Sequence, residues 1–459
     1  MGNLPKIMAG TRVAVMGLGV SGRAAARYAL HENAEVFVSD IRPRQEFIAD
    51  EGAFAGLDGF HLQTGEHTAE FLARADIVIV SPGINIATPL MDELRGRGVP
   101  VVGELAFAPV DKQIIAITGT NGKTTVTTLV AELLKGAGKR VFVGGNIRTS
   151  LFDYLLAPQD ADLLVLEVSS FQLETAGDFA PDIAVLLNVS PDHLDRHGDM
   201  EEYRRAKMRI FSCQTKEQVA IINGDDIECA KLETGFLPQV LKFGSGNKFE
   251  VGISGSDVVL YPGSRDEKYS LEATALYGRI GAGNSAPAIL AARCLGCSRS
   301  RIQSGLNRFK PLEHRMEFVH EVDGVRYFND SKATNTGAVT AALAQFDSGV
   351  ILLAGGRDKG DDYSLLKPAV SGKVKTVIVI GESAALIERA LRGSVPVVSV
   401  ESMQEAVEKA ADIAAVGDSV LLSPACSSFD MFTNYGHRGR VFKAEVDRLK
   451  SESQEKGAL

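Results

Sequence analysis

The chain has 459 residues, 45 % of them hydrophobic and 23 % charged, with a formal net charge of −9. That length exceeds what one hydrophobic core organises, so about three domains are expected. The acidic balance excludes a general affinity for nucleic acid, and no apolar run approaches the ~18 residues of a membrane span, which excludes membrane insertion.

From the N-terminus, residues 1–11 lack the apolar core of a signal peptide. The five cysteines are scattered and odd in number, so a reducing, cytoplasmic setting is expected. Val13–Met16 reads as a buried strand running into Gly17-Leu-Gly19-Val-Ser-Gly22 and an alanine-rich helix. A second strand, Val36–Ser39, ends at Asp40. Glycines at a strand–helix turn, with an acid closing the next strand to accept ribose hydroxyls, form a dinucleotide-type fingerprint. The same turn serves other nucleotides, so the motif does not choose a ligand. A third strand, Ala75–Val80, ends in Ser81-Pro-Gly83.

Residues 116–125, Ala-Ile-Thr-Gly-Thr-Asn-Gly-Lys-Thr-Thr, carry the most information. Ile114, Ile115, Ile117 and Thr118 form a strand, and Val126–Lys135 is compatible with a helix. Strand, tight loop and helix in that order make a phosphate-binding loop. Gly119 and Gly122 let backbone N–H groups turn toward an anion, and the helix N-terminus adds partial positive charge. Lys123 is expected to reach the β- and γ-phosphates, and Thr124 to offer its hydroxyl to Mg²⁺. The usual pattern carries a further glycine where this chain has Ile117, so the loop is the shorter Gly-x-x-Gly-Lys-Thr form.

Further strands are expected at Leu163–Glu167 and Ile183–Asn188, then a small antiparallel excursion over about 240–275. From about Pro311 a third unit starts, with strands near Arg326–Phe328, Val350–Ala354, Val377–Ile380 and Val420–Ser423. The expected fold class is α/β with three domains in series. An N-terminal Rossmann-like domain (1–106) precedes a central P-loop ATPase-type parallel sheet with a small antiparallel part (107–311), and a C-terminal Rossmann-like domain (312–459) follows. The charged tail Ser451–Leu459 is expected to fray.

Glu167, ending a strand beside the phosphate-loop strand, can hold Mg²⁺. His193, in Asn188-Val-Ser-Pro-Asp-His-Leu-Asp195, is a candidate metal ligand, because neutral imidazole suits divalent cations. Lys207 reads as part of an ordinary charged helix face, and Arg315 as a possible phosphate clamp. Asn329-Asp330-Ser331-Lys332-Ala-Thr334-Asn335 packs an acid, two amides, two hydroxyls and a cation behind a strand. Such a loop is costly to bury without a polar ligand. Cys294 and Cys297 form a CxxC without a second pair, and a structural role at a helix end is expected.

Gly119-Thr-Asn-Gly-Lys-Thr124, Glu167-Val-Ser-Ser-Phe-Gln-Leu-Glu174, Asp192-His-Leu-Asp-Arg196, His314-Arg315 and Asn329-Asp-Ser-Lys-Ala-Thr334 resemble the ATP-dependent Mur ligases of peptidoglycan synthesis. Leu421-Leu-Ser-Pro-Ala-Cys-Ser-Ser428, with Gly17–Gly22 at the front, resembles the branch that adds D-glutamate. The motifs span the chain in the family's order. The resemblance implies a first domain for a UDP-sugar, a central ATPase, and a third domain that closes over the nucleotide. It implies ATP-driven joining of D-glutamate to UDP-N-acetylmuramoyl-L-alanine through an acyl phosphate and a tetrahedral intermediate, by a monomer using two Mg²⁺ ions.

Position by position, the resemblance implies that Gly119, Thr120, Asn121, Gly122, Lys123, Thr124 and Thr125 bind ATP with Asn284, Arg315, Asp330 and Lys332. Thr124, Glu167 and His193 match metal-site residues, and Lys207 matches the family's carbamylated lysine. That last match overrides the bland reading of Lys207. Asn146 matches a muramoyl contact. Thr334, Lys359 and Ser428 match contacts to D-glutamate, and Ser21, Asp40 and Arg42 match the uridine-nucleotide pocket. The family's Gly-x-His-Asn segment here reads Gly281-Ala-Gly283-Asn284, with Pro287 three residues on. A nicotinamide dehydrogenase would use the Gly17–Gly22 turn but leaves the phosphate loop, Glu167 and His193 unexplained. A folylpolyglutamate-type ligase shares the central loop but lacks the first nucleotide-like fingerprint.

Overall fold

A computed structural model of the chain describes all residues except 1–6, 48–58, 148, 159, 232–235, 237, 256, 262–265, 273, 277, 311–312 and 458–459. The expected boundary at 311/312 lies outside the described residues. Runs such as Ile114–Ile117 and Val350–Ala354 are apolar on both faces, and each is buried in the interior of a parallel sheet.

Three sheets form among the described residues, one for each expected domain. The first contains β1 (Arg12–Met16), β2 (Glu35–Asp40), β3 (Phe60–Thr64), β4 (Ile77–Val80) and β5 (Val101–Val102). Its order is β3-β2-β1-β4-β5 and every pairing is parallel. Helix α1 (Val20–His31) follows the glycine turn and buries its small residues Ala24, Ala25, Ala26 and Ala29 against the sheet.

The central sheet begins with β6 (Gln113–Thr118), β7 (Val141–Gly145), β8 (Leu163–Glu167), β9 (Ile183–Leu186), β10 (Val219–Asn223) and β11 (Gln239–Ser245). β12 (Val251–Ser254), β13 (Asp257–Leu260) and β14 (Glu267–Ser270) complete the order β14-β13-β12-β11-β10-β9-β6-β8-β7. Only β12–β13 and β13–β14 are antiparallel. The expected excursion therefore forms the edge of the main sheet. Strand β6 sits between β8 and β9, where the strand order reverses, and ligands collect at such switch points. Alternate residues of β6 feed two cores: Ile115 and Ile117 pack toward α2 (Lys123–Gly136), while Ile114 and Ala116 pack toward α3 (Met200–Met208). Helix α4 (Gly278–Cys294) contains Pro287 and covers the α2 side, with exposed Cys294 at its end and Cys297 buried beyond it.

The third sheet contains β15 (Glu317–Val322), β16 (Val325–Asn329), β17 (Val350–Gly355), β18 (Val374–Ile380), β19 (Val397–Ser399) and β20 (Ser419–Leu422). Its order is β15-β16-β20-β17-β18-β19, parallel apart from the β15–β16 hairpin. Helix α5 (Thr336–Leu343) follows the Asn329–Asn335 loop, and Asn335 caps it. The last helix, α6 (Tyr435–Gly457), corrects the expectation of a frayed tail from Ser451. Arg448 pairs with Glu445, Glu452 and Glu408, and Ser453 bonds Asp323, which fastens that end. No helix among the described residues is long and apolar enough to cross a membrane.

Candidate active site

The loop between β6 and α2 is shaped by Gly122, which caps the helix in the left-handed region at φ 85°. A Cβ there would lie 2.6 Å from Asn284 Oδ1, so glycine is needed both for its backbone and for the approach of α4. Asn188 fixes the loop by accepting from Asn121 N at 2.8 Å and donating to Asn121 O at 3.0 Å.

Two lysines converge on one carbonyl. Lys123 Nζ donates to Gly119 O at 2.8 Å and Thr120 O at 2.9 Å, and Lys207 Nζ donates to Gly119 O at 2.9 Å. Lys207 is only 1 % exposed, and its ammonium lies 4.5 Å from the Tyr203 ring centre. Burial, reinforced by the charge of Lys123, holds its pKa well below the usual lysine range. Burial lowers that of Lys123 too, opposed by Glu167 and Asp192. Helix α3 thus turns Lys207 inward beneath the phosphate loop, not outward on the charged face. The residue-level reading of Lys207 as a solvated helix face is wrong.

Glu167 pairs in register with Ile117 at the end of β8. Its Oε1 accepts from Asn146 Nδ2 at 2.8 Å, while Oε2 is buried with no hydrogen-bond partner among the described residues. A buried carboxylate oxygen without a partner is costly unless a cation meets it. With the Thr124 hydroxyl nearby, the donor set is oxygen-rich and fits Mg²⁺. His193 adopts φ 54°, is 44 % exposed at its side chain, and has its ring 5.0 Å from Phe171. Partial desolvation lowers its pKa, opposed by Asp192 and aided by Lys359, Lys123 and Lys207. A neutral ring retains a lone pair for a metal.

Two hydrogen bonds among the described residues join the third domain to the central one. Arg315 donates to Thr124 Oγ1 at 2.6 Å, and Asn335 Nδ2 to Asp192 Oδ2 at 3.0 Å. Between the domains lies a cavity of about 900 Å³ lined by Asn121, Gly122, Asn284, Arg315, Asp330 and Lys332, with Phe243, Phe328 and Phe346 as apolar wall. Burial pushes the Asp330 carboxyl up to about 7, although Ser423 and Met316 N donate to it at 3.0 and 3.2 Å. Burial, with Arg315 adding to it, lowers Lys332 to about 8; its ammonium lies 4.1 Å from the Tyr435 ring centre.

Thr334, Lys359 and Ser428 lie on three loops at the carboxyl edge of the third sheet: Ser428 is buried, Thr334 half-buried and Lys359 exposed. Asp40 and Arg42 pair in the first domain, and Ser21 lies in the first turn of α1. Each Asp40 oxygen accepts twice: Oδ1 from Arg42 N and Nε, Oδ2 from Leu18 N and Arg42 NH2. Burial raises the Asp40 pKa, but these bonds outweigh it and hold the carboxyl at about 2. The acid expected to receive ribose hydroxyls is thus occupied in holding Arg42 and the glycine turn.

Two residues that the sequence did not single out belong here. Tyr203 OH meets Thr120 Oγ1 at 3.2 Å, and Arg196 NH2 donates at 2.7 Å to both Glu174 Oε2 and Ile84 O of the first domain. Arg196 also lies 5.1 Å from the Phe171 ring that packs on His193. Its place four residues after Asp192 was the available signal, but the partner Ile84 is 112 residues away.

Comparison with known proteins covers all three domains. Residues 11–103 match the MurD-like N-terminal domain of Mur ligases, 117–292 the Mur ligase middle domain, and 314–426 the Mur ligase glutamate ligase domain. The chain is 50 % identical over 97 % of its length to a UDP-N-acetylmuramoylalanine–D-glutamate ligase from Desulfotalea psychrophila, covering 98 % of that protein. It is 41 % identical, over 97 % of its length and 98 % of the relative, to one from Desulfosudis oleivorans. The solved MurF ligase of Thermotoga maritima in complex with ADP superposes with a TM-score of 0.60 at 19 % identity, covering 96 % of each chain, which speaks for the fold alone.

Proposed function

The chain belongs to the Mur ligase family, and on that premise we propose that it joins D-glutamate to UDP-N-acetylmuramoyl-L-alanine at the expense of ATP, in peptidoglycan precursor synthesis. The full-length match to D-glutamate ligases is the observation that carries the amino-acid assignment. The chemistry follows from what a carboxylate cannot do. It is a poor acyl donor, and phosphorylation gives it a leaving group. An L-alanyl carboxylate oxygen attacks the γ-phosphorus, the bond to the ADP oxygen breaks, and an acyl phosphate forms. The amine of D-glutamate then attacks that carbonyl, the tetrahedral intermediate expels phosphate, and the amine proton is lost to leave an amide.

The first step brings two anions together, so its barrier is electrostatic. Lys123 and the backbone of Gly119–Thr125 hold the phosphates, with Arg315 and Lys332 supplying positive charge from the third domain. Asn284 lies on the purine side, and Asp330 anchors the Arg315–Lys332 surface. Thr124, Glu167, His193 and Lys207 would hold two Mg²⁺ ions, which neutralise charge on the transferring group when bound. Arg42, held by Asp40, takes the uridine nucleotide together with Ser21, Asn146 the muramoyl group, and Thr334, Lys359 and Ser428 the D-glutamate carboxylates.

Lys207 is carbamylated in this reading. Its buried amine is poised to be neutral, so the nitrogen lone pair can attack CO₂, forming an N–C bond and releasing one proton. The carbamate carries a negative charge beside Lys123 and supplies oxygen donors for a metal. The residues assigned above all come from one chain, and a monomer is expected. ATP and the sugar nucleotide place the reaction in the cytoplasm.

The test supplies ATP, Mg²⁺ and UDP-N-acetylmuramoyl-L-alanine with D-glutamate, L-glutamate, L-alanine or meso-diaminopimelate in turn, and weighs the product. A D-glutamyl adduct alone supports the assignment. An adduct with another of the four moves the chain to a different amino-acid specificity.

A further inference from the structure

Arg438, near the start of α6, is 1 % exposed and among the largest fully buried side chains. Its Nε donates to Ser331 Oγ at 3.0 Å, and its NH2 to Ser331 O at 2.8 Å and Cys426 O at 3.1 Å. Its NH1 donates to Ser427 O at 3.2 Å and Gly355 O at 3.4 Å. All these acceptors are neutral, and no carboxylate pairs with it among the described residues. Asp430 is the acid in its surroundings, and Asp430 Oδ2 accepts from Glu382 N at 3.1 Å. Burial lowers the Arg438 pKa only to about 10, so the guanidinium is charged at neutral pH.

One side chain therefore ties together the loops after β16, β17 and β20. Those loops run on to Thr334, Lys359 and Ser428. The approach is close: at Gly356 (φ 137°) a Cβ would fall 2.2 Å from Ser427 O and 3.0 Å from Arg438 NH1. A buried cation held only by neutral acceptors, with Asp430 near it but not hydrogen-bonded to it, is a costly element to retain, and the cost falls when an anion binds near it.

We propose that Arg438 is a positioning and specificity residue for the amino-acid substrate. It aligns the three loops that receive the substrate's carboxylates, and its charge, bonded only to neutral acceptors, favours a dicarboxylic amino acid over its side-chain amide. The proposal rests on the reading of these loops as the D-glutamate site.

The experiment compares Arg438→Met, Arg438→Lys and a packing control, Phe442→Leu, in the full chain. Phe442 is fully buried one turn along the same helix and carries no charge. The readouts are the kcat/KM ratio for D-glutamate over D-glutamine, and acyl phosphate trapped by borohydride with no amino acid present. Arg438→Met is expected to lower the D-glutamate preference about tenfold while leaving trapped acyl phosphate within about twofold. Arg438→Lys keeps the charge and is expected to keep the preference, with KM for D-glutamate raised about threefold by the lost fork geometry. Phe442→Leu is expected to change neither. The proposal is overturned if Arg438→Met keeps the full preference, or if acyl phosphate falls in parallel, as a purely structural role would give. Should Arg438→Met not fold, Arg438→Lys decides, since loss of preference with the charge retained contradicts the proposal. A wild-type protein without D-glutamate preference would sink the D-glutamate reading itself, a different result from an unchanged variant.

Discussion

Arg315 and Thr124, 191 positions apart, are joined by a 2.6 Å hydrogen bond from the guanidinium to the hydroxyl. The contact fastens the third domain to the first turn of α2, the helix that carries the phosphate loop. A hydroxyl has two lone pairs, so accepting from Arg315 leaves Thr124 one for a cation. The nucleotide site is thus completed by two domains, neither of which holds the full charge array alone.

Arg315→Ala should therefore weaken ATP more than the sugar nucleotide. The expected outcome is a rise of about tenfold in KM for ATP, with the sugar-nucleotide KM within about twofold, the size of one charge-assisted contact. Small-angle scattering should report a more open average shape for the variant. Equal effects on both substrates, or an unchanged profile, would argue against the clasp.

Lys207 offers a chemical test. Protein equilibrated with ¹³C-bicarbonate should give a carbamate carbon resonance that is absent from Lys207→Arg, whose guanidinium does not form the adduct. Activity in CO₂-depleted buffer should recover on adding bicarbonate. A spectrum identical in the two proteins would remove the carbamate from the account.

The pH dependence of stability follows from Asp330. Its folded pKa, about 7, lies above the unfolded value of 3.8, so the folded state holds the proton more tightly. The resulting stability is full below about pH 4 and is lost as pH rises through about 7. Wild-type melting temperature should fall relative to Asp330→Asn between pH 5 and 7.5, by the equivalent of about 1 kcal/mol per pH unit, and run parallel above. A constant difference would mean that Asp330 is ionised throughout.

The phosphate loop was legible because everything that makes it is local: an apolar strand, two glycines, a lysine and a helix within about fifteen residues. Glu167 was legible because a strand end beside that loop is a short inference. Lys207 was not, since Glu201, Glu202, Arg204 and Arg205 give its helix a solvated look. Its burial depends on where α3 lies against Gly119, 88 residues earlier. Arg438 was hidden for the same reason, because Tyr-Gly-His-Arg-Gly-Arg reads as a polar helix start. Asp40 closes β2 as expected, but its saturation by Arg42 and Leu18 N is a matter of loop geometry.

Arg196 couples the first domain to the metal loop. Arg196→Ala removes two 2.7 Å bonds and leaves the largely buried Glu174 with, among the described residues, only the His197 Nδ1 contact at 3.4 Å. Stability should fall by about 2 kcal/mol, and KM for the sugar nucleotide should rise several-fold with ATP binding little changed. Thermal unfolding and substrate titrations check this. A variant of wild-type stability and kinetics would show the contact to be incidental.

The central claim, activation of a carboxylate by phosphorylation, is tested most directly by oxygen tracing. UDP-N-acetylmuramoyl-L-alanine labelled with ¹⁸O at both L-alanyl carboxylate oxygens is turned over with ATP and D-glutamate, and the released phosphate is weighed. The account predicts one ¹⁸O in phosphate and one in the amide for every turnover, with no turnover in Lys123→Ala. Unlabelled phosphate beside a D-glutamyl product would contradict it.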